Sequence, residues 1–139
     1  MMTLYNVRGE AVFPPELEQD AFRADNEFGW TRVQIPMVID ILRSHGIGIL
    51  GGELWWVHEG ISGTIPQRQG APAVYCWETN RRPGEPWAHF IQRGSADALT
   101  AVERWPAPDD LPPDLPGRIL YNLTWTSEVE FEKLSTKAV

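Results

Sequence analysis

The side chains that could do chemistry in this sequence are three histidines, one cysteine and a scatter of carboxylates. A zinc site needs three or four converging ligands, usually at short, regular spacings. His45, His58 and His89 are far apart in the sequence, and none of them lies at metal-ligand spacing from Cys76. The sequence therefore predicts neither a metal site nor a cofactor.

Cys76 and His89 could form a thiol–imidazole pair if their two segments made a hairpin. A cysteine nucleophile needs an exposed thiol with a lowered pKa. Side chains alternate along a strand, and this alternation places Cys76 beside Val74, on the side away from His89. We therefore predict a buried, unreactive thiol at Cys76.

The other motifs of catalysis are also missing from the sequence. The glycines at 48, 51 and 52 are not followed by the lysine and hydroxyl residue of a phosphate-binding loop, and neither GxSxG nor HExxH occurs. This pattern favours a binding protein over an enzyme. An alternative is a small-molecule-binding domain or small enzyme, whose pocket would be formed by Glu53, Trp55, His58 and His89.

Length and charge limit the classes of function. The chain has 139 residues with 42% hydrophobic and 22% charged residues, which predicts one folded domain over residues 1–139. The formal net charge is −7. Negative charge disfavours binding to nucleic acids and to anionic membranes, and it favours a basic protein partner. Whether the protein is a monomer or a homodimer is left open by the sequence.

The sequence predicts a cytoplasmic protein. A single cysteine suits a reducing compartment, and residues 1–16 lack the apolar stretch of a signal peptide. The longest apolar run, residues 47–57, is interrupted by glycines and Glu53 and is too short to span a membrane.

Three helices are predicted, over residues 16–24, 31–45 and 95–105. The second has an apolar stripe at i, i+3, i+4 and i+7, formed by Ile35, Val38, Ile39 and Leu42. The third begins at Ser95, a good N-cap, and ends before Pro106.

Four strands are predicted, over residues 47–58, 73–79, 87–93 and 118–126, because apolar and polar residues alternate there. Residues 25–29 and 59–71 are interpreted as loops, and residues 127–134 fit either a strand or a helix. The glycines in the first strand indicate a bulge or a close backbone approach. The fold class is α+β, with a mixed, mostly antiparallel sheet of four to five strands and two to three helices packed on one face.

Six aromatic residues could gather on one face of this sheet: Trp55, Tyr75, Trp77, Trp87, Tyr121 and Trp125. An exposed aromatic surface would suit sugar binding or base stacking, or would serve as a hot spot for a protein partner. Large aromatics dominate protein cores, so we expect this face to be the core beneath the helices.

Residues 36–56, PMVIDILRSHGIGILGGELWW, resemble a pattern in one family of immunity proteins from bacterial polymorphic-toxin systems. That pattern is an amphipathic helix followed by a strand with Ile-Leu-Gly-Gly, an acidic residue and aromatics. An aromatic strand with a Trp and a serine-capped helix follow, here residues 75–78 and 95–105. The family pattern has Asp at the position of Glu53 and Asn at that of Cys76.

The resemblance, over about residues 36–105, implies a small cytoplasmic protein that binds and neutralises a cognate toxin without catalysis. Acidic charge would steer such a protein towards a basic cleft. Loops often provide binding contacts, so the predicted contacts are acidic residues near the N-terminus and in the proline-rich segment 106–117: Glu16, Glu18, Asp20, Asp109, Asp110 and Asp114.

Overall fold

The computed structural model describes residues 16–19, 21–24, 27–63, 75–105 and 117–137. Four helices lie in these ranges: α1 (Glu16–Gln19), α2 (Ile35–Ser44), α3 (Trp87–Arg104) and α4 (Glu128–Lys137). The strands there are β1 (Phe22–Ala24), β2 (Glu27–Trp30), β3 (Gly48–His58), β4 (Ile61–Gly63), β5 (Cys76–Glu78) and β6 (Arg118–Thr126).

The sheet is built around β3 and β6, which pair over most of their length. Its order is β1-β2-β6-β3-β4, and β5 pairs with the same edge of β3 as β4, nearer the start of the strand. All the pairings between the described strands are antiparallel. The predicted α+β class is confirmed, with a sheet of six strands.

A bulge in β3 sets which side chains point to each face of the sheet. Ile49 pairs with Trp125 and Gly51 with Thr124, so Leu50 is the extra residue. The extra residue reverses the alternation, and Ile49 therefore shares a face with Leu54 and Trp56 rather than with Trp55 and Val57. The glycines of this strand indicated a bulge or a close backbone approach, and a bulge occurs at Leu50.

The larger core lies between one face of the sheet, here called the helix face, and helices α2 and α3. The apolar stripe of α2 is fully buried there, as predicted. Three large rings, Phe28, Trp30 and Trp125, pack together with centroids about 6 Å apart. The indole N–H of Trp30 donates to the carbonyl of Leu17, at 3.0 Å, which attaches α1 to this core.

The opposite face of the sheet has a smaller cluster of Trp55, Val57 and Leu120, against which Phe22 and Ala24 pack. Trp55 thus lies on the other side of the sheet from Tyr75, Trp77, Tyr121 and Trp125, which belong to the larger core. Trp87 lies on α3. The six aromatics do not share one face, because the bulge moves Trp55 to the opposite side and Trp87 is not in the sheet.

The prediction of a strand at residues 87–93 was wrong, because these residues are the first two turns of α3. Phe90, Ile91, Gly94 and Ala98 are buried on one side of that helix, at helical spacing. Gly94 suits this place, since a Cβ there would lie 2.6 Å from the carbonyl oxygen of Ile49. The alternation of Trp87, His89 and Ile91 was misleading in so short a window.

Other differences concern short elements and ends. The predicted helix 16–24 is a single turn, α1, followed by β1. Residues 27–29 and 61–63, interpreted as parts of loops, belong to β2 and β4, and residues 128–134 of the segment left open belong to α4. Strand β6 has the predicted bounds. Within the described ranges, no helix has the length and apolar character needed to cross a membrane.

Candidate functional site

Glu53 and Trp55, two of the four residues predicted to form an alternative pocket, are neighbours on the face opposite α2 and α3. Their partners across the β3–β6 pair are Asn122 and Leu120. The indole N–H of Trp55 donates to Glu53 Oε2 at 3.0 Å. Trp55 is buried, so this hydrogen bond gives its polar atom a partner and holds the Glu53 carboxylate in place.

His58 points to the other face, at the far end of β3. It stacks on Trp56, with ring centroids 5.6 Å apart, and its Nε2 lies 3.7 Å from the Glu59 carboxylate. The start of β3, at Gly48, is in contact with Phe90, which follows His89 in α3. Ten residues of strand separate Gly48 from His58, about 30 Å. The structure therefore does not bring His58 and His89 together with Glu53 and Trp55.

His89 instead belongs to a cluster around the buried carboxylate of Glu85. Arg93 donates to both oxygens of Glu85, from Nη2 at 2.7 Å and from Nε at 3.0 Å. The backbone N–H of Arg82 donates to Oε1 at 2.9 Å, and Nδ1 of His89 to Oε2. The hydrogen bonds from Arg93 lower the pKa of Glu85 far below its ordinary value. Burial acts to raise this pKa, and the hydrogen bonds from Arg82 and His89 act with those of Arg93 to lower it.

The thiol of Cys76 is exposed, so the prediction of a buried thiol was wrong. Cys76 pairs with Glu53 in the β3–β5 ladder, and its side chain lies on the same face as that carboxylate. β5 has only three residues, at the edge of the described sheet, and its outward side chains remain in solvent. Burial was inferred from an apolar neighbour, Val74, which lies outside the described residues.

Most of the predicted acidic contacts lie outside the described residues: Asp20, Asp109, Asp110, Asp114 and the side chain of Glu16. Glu18, on α1, is exposed. Among the described residues, no group of three or more His, Cys, Asp or Glu side chains is placed to hold a metal ion.

An exposed apolar ridge runs along the solvent side of α2. We use the name α2 ridge for Val33, Pro36 and Met37. Val33 is 90% exposed and Met37 51% exposed, although both are apolar. Val33 lies in the turn before α2, and Met37 lies on the solvent side of α2, opposite its buried stripe. This ridge was not among the predicted sites, and its signal in the sequence was an apolar residue, Met37, outside the i, i+3, i+4, i+7 stripe.

A partly enclosed cavity of about 200 Å³ lies where β3, β5 and β6 meet α4. Gly51 and Thr124 face each other across the β3–β6 pair at its base, and Leu50, Asn80, Arg81 and Phe131 also line it. The hydroxyl of Thr124 is fully buried and makes no hydrogen bond with any described residue. No motif predicted this cavity, because its residues come together only through the bulge and α4.

Arg81 connects the cavity to α4. Its Nη2 and Nη1 donate to Glu128 and Glu132, each at 3.1 Å, and its Nε donates to the carbonyl of Glu85 at 3.0 Å. The guanidinium lies over the rings of Trp87 and Phe131, at 5.0 and 5.6 Å from their centroids. These contacts neutralise its charge and make it a structural residue rather than a free cation.

Comparison of this chain with models of protein families, with curated proteins and with solved structures gave no match.

Proposed function

We propose that this protein is a non-enzymatic binding protein that neutralises a cognate bacterial toxin by direct contact. The resemblance of residues 36–105 to one family of immunity proteins suggests the class. The net charge of −7 suggests a basic partner, such as the active-site cleft of a nuclease-like toxin domain.

The observation on which the binding surface rests is the α2 ridge. Val33, in the turn before α2, and Met37, on α2 itself, both expose apolar surface on an acidic protein. Isolated exposed apolar residues are common, but several within one short segment at the start of a helix offer a contiguous anchor for a partner. Methionine is enriched in interfaces, because its flexible thioether adapts to the opposing surface.

Acidic side chains would surround this anchor or approach the partner from other loops. The candidates are those predicted from the sequence: Glu16, Glu18, Asp20, Asp109, Asp110 and Asp114. In this arrangement the apolar anchor provides most of the binding free energy, and the carboxylates increase the rate of association and select a basic partner.

The proposal is tested with the toxin encoded beside this protein's gene. Co-expression should restore the growth of cells that produce the toxin, and calorimetry should show a stable complex. In the double variant Val33→Ser, Met37→Ser, affinity should fall by a factor of about 30 or more, since hot-spot residues contribute about 2 kcal/mol or more.

The matched control is Ile61→Ser, Val129→Ser, which also removes two exposed apolar side chains, 72% and 63% exposed, from other elements. It should bind the toxin as the wild type does. Equal losses in both double variants would reject the α2 ridge as the binding surface. A wild-type protein that neither binds nor protects would reject the function itself. Light scattering at two concentrations checks that the ridge is not occupied by a second copy of the chain.

A further inference from the structure

The cavity between the sheet and α4 contains a polar atom that the fold leaves unsatisfied. The side chain of Thr124 is 0% exposed, and its hydroxyl makes no hydrogen bond to any described residue. Buried polar groups are almost always hydrogen-bonded, because an unpartnered one has lost water and gained nothing. The neighbouring threonines of the same sheet region do have partners: Thr79 donates to Asp97 at 2.8 Å and Thr126 to the carbonyl of Ser127 at 3.1 Å.

We infer that this cavity is a binding site for a small neutral aromatic molecule with one hydrogen-bonding group, of the phenol class, which pairs with the Thr124 hydroxyl. Gly51 pairs with Thr124 at the base of the cavity, and β5 packs closely over it, since a Cβ on Gly51 would overlap the carbonyl oxygen of Trp77. Trp77 also has a buried indole N–H without a described partner. Its ring, however, lies over Gly52 on the helix face, so the inference rests on Thr124.

The size and the walls of the cavity fit such a ligand. A volume of about 200 Å³ exceeds the roughly 150 Å³ of an apolar cavity that accepts benzene. Leu50 and the ring of Phe131 provide apolar surface for the body of the molecule. Aromatic rings pair favourably with a ring such as Phe131 in offset or edge-to-face contact.

The charges at the cavity argue against an anionic ligand. Arg81 is the one arginine or lysine among its lining residues, and each of its three nitrogens already donates to an oxygen of Glu85, Glu128 or Glu132. These bonds use three of the five guanidinium N–H donors, and the carboxylates of Glu128 and Glu132 already offset its charge, which disfavours an anionic ligand. A neutral molecule leaves them intact.

Phenol and toluene are the matched probes, since they have similar shapes and only phenol has a hydroxyl. NMR titration of the full-length protein should show saturable binding of phenol, with shifts at Leu50, Gly51 and Phe131. Thr124→Val keeps the shape of the side chain and removes its hydroxyl. We expect it to weaken phenol binding about tenfold and to leave toluene binding unchanged.

Two further measurements distinguish ligand binding by Thr124 from a purely structural role of this residue. Thr124→Val should raise the melting temperature without ligand, because it removes an unsatisfied buried hydroxyl. Leu50→Phe should fill the cavity and abolish binding of both probes. No saturable binding of either probe, or equal phenol affinity in the wild type and in Thr124→Val, would overturn the inference and leave a cavity filled by water. Toxin binding should be unaffected by Thr124→Val, so the two proposals fail independently.

Discussion

Arg93, His89 and the backbone of Arg82 all donate to the carboxylate of Glu85, which precedes α3. The Glu85 side chain is only 3% exposed. A buried carboxylate is stable in its ionised form only when donors replace the water it has lost. Here the donors come from the turn before α3 and from the first two turns of α3, so the cluster fixes the path of the chain into the helix.

We predict that Glu85→Gln destabilises the fold more than Glu132→Gln does. The first change leaves the guanidinium of Arg93 without its two-pronged carboxylate partner. The second removes one exposed ion pair with Arg81, and such a pair contributes less than about 1 kcal/mol. Urea denaturation at pH 7 measures the free energy of unfolding of both variants and of the wild type. A larger loss in Glu132→Gln would show that Glu85 is not the main stabilising carboxylate.

The stability difference between the wild type and Glu85→Gln should also depend on pH. Since folding lowers the pKa of Glu85, its ionised form stabilises the folded state at any pH above its unfolded value of about 4.3. As the pH falls below that value, the unfolded state takes up a proton first, and the stabilisation is lost. Urea denaturation at pH 7, 5 and 3 should give a constant difference between pH 7 and 5 and a smaller one at pH 3. A stability difference that grows as the pH falls would contradict a lowered pKa of Glu85 in the folded protein.

The role of His89 could not be predicted from the sequence, because it depends on the secondary structure of residues 87–93. On a strand, His89 would lie in the hairpin that contains Cys76, but on α3 it lies one turn after Glu85. The pairing of Glu85, His89 and Arg93 at i, i+4 and i+8 was visible in the sequence once a helix is assumed. The cluster of these three residues could therefore be predicted only once residues 87–93 were known to be helical.

Strand β3 shows how the glycines of the motif that resembles immunity proteins act in the fold. A Cβ on Gly52 would overlap the backbone oxygen of Asn122 and lie 2.5 Å from the ring of Trp77. A Cβ on Gly51 would overlap the carbonyl of Trp77. The two glycines thus let β5 and its Trp77 approach β3 closely, which is a structural reason for this motif.

Gly52→Ala should therefore destabilise the protein by about 3 kcal/mol or more, because backbone atoms must move to accept the methyl group. Gly60→Ala is the control: nothing lies within 4 Å of its Cβ position, and only its φ of +77° is unfavourable, which costs about 1–2 kcal/mol. Denaturation with guanidinium chloride compares the free energies of unfolding of the two variants with that of the wild type. Equal losses would mean that the sheet adapts to the methyl group and that packing against Gly52 is not tight.

The regular patterns of α2 and β6 predicted their elements, whereas the short strands β1, β2 and β4 were missed. The stripe of α2 runs from Ile35 to Leu42 and the alternation of β6 over nine residues, and both elements occur as expected. β2 has four residues and includes Gly29, which suggested a loop. Its glycine is required by packing, because a Cβ there would lie 2.8 Å from the ring of Trp55. That contact joins residues 26 positions apart, and no local pattern reveals it.

For the molecule as a whole, the sequence predicts charge well and surfaces poorly. The net charge of −7 follows from counting, whereas the α2 ridge and the Thr124 cavity require knowledge of which side chains the fold covers. The binding proposal combines both kinds of information. The charge acts at long range and concerns the approach of a partner, and the ridge acts at contact and concerns the lifetime of the complex.

This division predicts how salt affects toxin binding. Between about 0.05 and 0.5 M NaCl, the association rate constant should fall at least about tenfold, because screening shortens the range of attraction from roughly 14 to 4 Å. The dissociation rate constant should change by less than about twofold, and Val33→Ser, Met37→Ser should raise mainly that constant. Surface plasmon resonance measures both.

A matched pair of triple variants tests whether the predicted acidic residues act locally. Asp109→Asn, Asp110→Asn, Asp114→Asn and Glu59→Gln, Glu78→Gln, Glu103→Gln each remove three negative charges. If the proline-rich segment faces the toxin, the first variant should associate more slowly than the second at low salt, and the two should converge at high salt. Identical rate constants would mean that only net charge matters. An association rate independent of salt would remove the electrostatic argument for a basic partner.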